Sequence, residues 1–170
     1  KGLAEVPFIQ LLVIVPPLVY YPQRTYRSGM FSAQVHHPLE GADLKAEDWV
    51  CYPAKVGKLL MFIYFHKRYL GLGTSLSNLL EMAEAEEVIG KKPDAILVFG
   101  VDPELLGKEQ TIYHEDKESG IMVGVVGRSE RVDYFGYLKK MALTLHNLIQ
   151  IDRENLPVHG AMAHVVLRDG

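Results

Sequence analysis

The chain has 170 residues, of which 48% are apolar and 23% charged, enough for one domain with a substantial buried core and too apolar for a disordered chain. Its net charge of -3 supplies no overall basic field for nucleic acid or an anionic membrane surface, so any anion site has to be local. A single cysteine, Cys51, excludes an intrachain disulfide and an all-thiolate zinc site, and a reducing cytoplasmic setting is expected.

Residues 8–15 form a nearly continuous apolar run that ends at Pro16-Pro17, which predicts a strand buried on both faces and is too short to span a bilayer. From about residue 20 to Pro53 the chain is rich in proline, glycine and polar residues, and irregular structure is expected there. A second buried strand is predicted over 58–65. Gly71-Leu72-Gly73 reads as a turn, being too short for a dinucleotide fingerprint. Thr74 or Ser75 then caps a predicted helix with Leu76, Leu79, Leu80, Ala83 and Val88 on its apolar face and Gly90 as its stop.

A short buried strand is expected over 94–100, followed by a hairpin of strands near 110–114 and 121–126 with a polar turn between them. Apolar residues at helical spacing from Leu138 to Ile149 predict a helix over 134–150, with Asp133 as N-cap, and a last strand is expected over 158–167. The alternation of strands and helices argues for an α/β fold, a mixed sheet with flanking helices, because the hairpin is antiparallel.

Several side chains are candidates for chemistry. On the 134–150 helix, Lys140 falls opposite the apolar stripe and Lys139 at its margin, so both leave the core; a solvated face explains them as well as a site does. His159 follows a turn at the start of an apolar strand, where it is either a metal ligand or a half-buried histidine bonded to backbone. Arg24 and Arg27 lie among tyrosines and are suited either to clamping a carboxylate or to packing on the rings. His36-His37 could ligate a metal, although adjacent histidines in a proline-bounded loop are commonly exposed. Cys51 has no matched base and reads as a buried structural thiol. None of the Gly-Lys pairs, at 57–58, 90–91 and 107–108, has the spacing of a nucleotide-binding P-loop.

Taken together, Tyr134-Phe135-Gly136-Tyr137-Leu138-Lys139-Lys140-Met141 and Leu156-Pro157-Val158-His159-Gly160-Ala161-Met162 resemble two linked motifs of ATP-dependent phosphoenolpyruvate carboxykinases. Tyr134 precedes Lys140 by 6 positions and His159 follows it by 19, which is similar to the family spacing. The segments 92–100 and 121–128 resemble strands of the same family, and Arg27-Ser28 resembles its arginine-serine substrate motif without the proline and lysines that follow it there. The resemblance implies one N-terminal carboxykinase-like domain over 1–170, part of a longer protein whose P-loop domain would follow. It also implies that Lys140 and His159 ligate manganese or magnesium, that Lys139, Lys140 and His159 are catalytic, and that Arg27 and Tyr134 bind substrate. The implied reaction decarboxylates oxaloacetate and phosphorylates the enolate to phosphoenolpyruvate, with ATP bound mainly outside this chain; these residues alone are expected to be inactive. No nucleic acid or membrane partner is expected. The histidine-glycine pair also resembles the HPr kinase/phosphorylase group, and a non-catalytic ligand-binding domain is a third alternative.

Overall fold

The computed structural model describes residues 5–11, 37–158 and 160. Within them six strands form one mixed sheet in the order β3-β1-β2-β4-β6-β5. Strand β1 (Trp49–Val56) and strand β2 (Leu59–His66) form an antiparallel hairpin. Their connection is two residues long, and its first residue, Gly57, takes a φ of +63°, the conformation that suits the right-handed twist of a tight hairpin. Strand β4 (Ala95–Val101) lies parallel to β2, and β6 (Ile121–Gly127) lies parallel to β4. Strand β5 (Thr111–Asp116) pairs antiparallel with β6 through the expected polar turn. There the Asp116 carboxylate accepts hydrogen bonds from the Glu118 and Ser119 backbone N–H groups, and Gly120 takes a φ of +66°.

Strand β1 corrects the expected irregular segment, whose described part runs only from residue 37 to residue 48, and Pro53 stands in the middle of the strand. Proline is tolerated because its carbonyl accepts from the Ala83 N–H and so points away from β2. Its nitrogen shares that direction, toward the outer edge of β1, where no ladder to β2 is lost. The same edge meets residues 7–9: Phe8 bridges Cys51 in parallel, and the Ile9 N–H donates to the Cys51 carbonyl. The described part of the expected first strand is therefore an edge segment with Leu11 exposed, and not a strand buried on both faces. Residues 12–36, with Arg24, Arg27 and His36 among them, lie outside the described residues, as does the expected strand beyond Val158 apart from Gly160.

The short helix α1 (Leu70–Thr74) ends where the expected helix should begin, and three short pieces replace that helix: a 3-10 turn at Ser75–Asn78, strand β3 (Glu81–Met82) and α2 (Ala85–Val88). The apolar residues are buried as anticipated except for Leu79, but not on one face. Leu76 and Leu80 join the cluster on one side of the sheet, while Ala83 and Val88 join the cluster on the other. One straight helix cannot serve both sides, so the chain passes around the sheet edge and pairs with β1 on the way. The glycines of 71–73 are helical rather than a turn. A Cβ at Gly73 would run into the Phe65 ring, so its absence lets α1 sit directly on β2.

Helix α3 (Phe135–Asp152) matches the expected helix, starting after Tyr134 in extended conformation and not at Asp133. Its buried residues Leu138, Met141, Ala142, Leu145 and Ile149 pack on the same side of the sheet as α1. Gly124 of β6 leaves room for Leu145, since a Cβ there would lie 3.1 Å from its Cδ1. Two buried bonds tie α3 to β5: Thr111 to the Tyr137 hydroxyl at 2.8 Å, and the Tyr113 hydroxyl to the Met141 sulfur at 2.8 Å. The opposite side of the sheet buries Val98, Val101, Ile112, Val123 and Val125 beneath Val6, Leu44 and Leu106, which come from loops and short turns. No helix among the described residues is long and apolar enough to cross a membrane.

Candidate functional site

Lys139 and Lys140 occupy the second turn of α3. Lys140 is exposed and Lys139 half-buried, as their offset from the apolar stripe requires. With Thr144 and His146 they line one wall of a cavity of about 440 Å³, and Pro157, Val158 and Gly160 line it from the segment after the helix. The structure thus brings the two lysines alongside the immediate neighbours of His159, whose own placement lies outside the described residues. Among the described residues neither lysine forms an ion pair with a carboxylate. Tyr134 does not line this cavity. It is buried in the core cluster, 6.0 Å from the Tyr137 ring, and its own ring folds over Gly136, where a Cβ would come within 2.8 Å. The glycine of this motif therefore accommodates the tyrosine.

The described wall of the cavity offers two lysines, a hydroxyl, an imidazole and the Asn147 amide, with no carboxylate. That donor set suits a phosphoryl or carboxylate anion, whereas hard divalent cations require oxygen ligands, and no group of three or more His, Cys, Asp or Glu among the described residues is placed to hold a metal. His37, one of the other nominated ligands, instead packs its ring edge-on to His114 at 5.1 Å and accepts a hydrogen bond from the Leu39 N–H. Cys51 is fully buried, and burial pushes its thiol well above the usual range, in line with a structural role.

A second cavity, also of about 440 Å³, was not singled out by the sequence motifs. It opens at the carboxyl ends of the parallel strands β2, β4 and β6, where ligands of α/β proteins commonly bind. Each strand delivers a polar residue there: His66 closes β2, Asp102 follows β4 and Arg128 follows β6. The loop before β1 completes it with Asp43, Lys45 and Asp48. The pattern is visible in the sequence as three apolar strands that each run straight into a titratable residue, but only the parallel pairing makes the three ends neighbours.

The local backbone is built around this cavity. Strand β4 carries a bulge between Phe99 and Val101, and Gly100 within it takes a φ of +105°. The bulge reverses the side-chain alternation, so Val101 is buried on the opposite side of the sheet from Leu97 and Phe99. A Cβ on Gly100 would come within 2.8 Å of the Tyr69 ring and 2.9 Å of the His66 Cβ. Arg128 is held at its backbone: its N–H donates to the Val101 carbonyl at 2.8 Å. The next residue, Ser129, donates its N–H to the Tyr69 hydroxyl at 3.2 Å and its own hydroxyl to Gln110 at 2.9 Å.

His66 accepts the Arg68 N–H at Nδ1, so its neutral ring carries the proton on Nε2. Burial, and then the nearby Arg128 guanidinium, lower its pKa, with Asp48 acting in the opposite direction. The Trp49 ring stands perpendicular to it at 5.5 Å. Comparison of the chain with protein-family models, with curated proteins and with solved structures returns no match.

Proposed function

We propose that the chain is the substrate- and phosphoryl-side part of a phosphoenolpyruvate carboxykinase-like enzyme, acting on oxaloacetate in the cytoplasm with ATP bound mainly by a P-loop domain outside these residues. The observation that carries this reading is the α3 cavity, which sets Lys139 and Lys140 against Pro157, Val158 and Gly160 on either side of His159. In the reaction, the bond between the leaving carboxylate and the adjacent carbon breaks and its electron pair forms the enolate. The enolate oxygen then takes the γ-phosphoryl group of ATP, and ADP leaves. Lys139 and Lys140 would balance the charge on the phosphoryl oxygens. Arg27 would hold the substrate carboxylate, whereas Tyr134, buried in the core, would act only by supporting the start of α3. The manganese or magnesium ion of this reading would draw on His159 and on groups beyond the described lining, which offers no carboxylate; it would supply polarisation of the enolate and phosphoryl oxygens.

The test is oxaloacetate-dependent phosphoenolpyruvate formation by the full-length protein with manganese and ATP. Lys140→Ala and His159→Ala should each lower it on the order of a hundredfold. Unchanged turnover in both variants, or full turnover by residues 1–170 alone, refutes the assignment. Absence of turnover together with phosphorylation of a protein serine would favour the HPr kinase-like alternative, and absence of both would favour a binding domain.

A further inference from the structure

The cavity at the carboxyl ends of β2, β4 and β6 shares no lining residue with the α3 cavity and does not depend on the reaction proposed for it. We infer that it is a binding site for a small amino-acid zwitterion, with Arg128 receiving the carboxylate and Asp48 the ammonium group. Arg128 is the cation of the strand-end wall. Among the described residues its carboxylate partner is Asp102, through one long contact of 3.4 Å and not a two-point clamp. Asp102 meets Arg128 at Nη2 alone through Oδ2, its Oδ1 accepting the Glu104 N–H at 3.1 Å, so the rest of the guanidinium fork is open to a ligand. Beside it, neutral His66 presents an Nε2–H donor, which suits a carboxylate oxygen or a hydroxyl.

The charge on the remaining walls narrows the ligand class. Asp43, Asp48 and Glu104 are all exposed and outnumber Lys45, so a dianion would meet more negative than positive groups. A simple amine would have to sit against Arg128. A ligand bearing one charge of each sign satisfies both poles. The site is also ordered in advance, because the Arg128 backbone is fixed to β4 and, through Ser129, to Tyr69 and Gln110, while the bulge at Gly100 brings His66 and Tyr69 into contact range.

Isothermal titration of the protein with L-serine, L-glutamine, L-methionine and L-phenylalanine, singly, tests the inference, with their amides, their N-acetyl derivatives and succinate as controls. At least one free amino acid should bind, with its amide and its N-acetyl derivative each roughly tenfold weaker or more. Arg128→Gln should weaken the free amino acid by a similar factor, Arg128→Lys should recover part of the loss, and Asp48→Asn should abolish the preference over the N-acetyl form; circular dichroism checks that each variant folds. The inference is overturned if none of the four binds, if succinate binds as tightly as the best of them, or if folded Arg128→Gln binds like the unaltered protein.

Discussion

Replacing Gly100 by alanine tests whether the β4 bulge is held as tightly as the structure indicates. Two costs combine. The φ of +105° is one that L side chains rarely adopt, worth about 1–3 kcal/mol of strain. The added Cβ also lands within 2.8 Å of the Tyr69 ring and 2.9 Å of the His66 Cβ, an overpacking cost of about 1–3 kcal/mol. Neither neighbour gives way easily: Tyr69 is 1% exposed with its hydroxyl bonded to Ser129, and the His66 Cβ moves only with β2 itself. Reduced freedom of the unfolded chain returns about 0.4–1 kcal/mol. The expected net loss is about 1–6 kcal/mol, read as a shift in the urea midpoint by circular dichroism. Trp49, the single tryptophan and 5.5 Å from His66, gives a fluorescence change local to the cavity. Gly90→Ala is the control, since Gly90 has a φ of +69° and nothing within 4 Å of its Cβ, so it carries backbone strain without the clash. If Gly100→Ala is no more destabilising than Gly90→Ala, the close packing of β4 on Tyr69 and His66 is wrong.

Two further outcomes follow from titratable groups. The unfolded chain takes up a proton on His66 near pH 6.5, whereas the folded chain resists protonation to lower pH. Stability should therefore decline as the pH falls below 6.5 and level off once the folded pKa is passed. His66→Asn, which keeps an acceptor for the Arg68 N–H, should flatten this part of the urea-midpoint profile, and an unaltered slope would remove His66 as its source. Cys51 should react with a thiol reagent at least about a hundredfold more slowly in the folded protein than in urea, since it is buried and held neutral. Rapid labelling of the folded chain would show that the outer edge of β1 opens freely.

How far the sequence could be read depended on whether a segment buries one face or two. Helix α3 was legible because its apolar residues all face one side of the sheet, so their spacing is that of a helix. The β5–β6 hairpin was legible for a similar reason, its strands being separated by a turn with its own chemistry at Asp116 and Gly120. The stretch from Leu76 to Val88 misled because its apolar residues belong to two cores, and helical spacing arose from a chain that rounds the sheet edge. Pro53 hid β1, since nothing local shows that its nitrogen faces an outer edge.

The same distinction separates the two candidate sites. Lys139 and Lys140 stand out by sequence alone, because adjacent positions off a helix stripe must leave the core wherever the helix packs. The grouping of His66, Asp102 and Arg128 has no such local signature, since they are far apart in the chain and each looks like an ordinary strand end. What the sequence determined by itself was the α/β class, the buried strands β2, β4 and β6 and the outward face of α3, all of which follow from residue-by-residue burial. The order of the strands, the side taken by each connection and the meeting of three strand ends at one cavity were decided by tertiary structure. Parallel pairing is set by contacts between distant segments, and no local pattern encodes it.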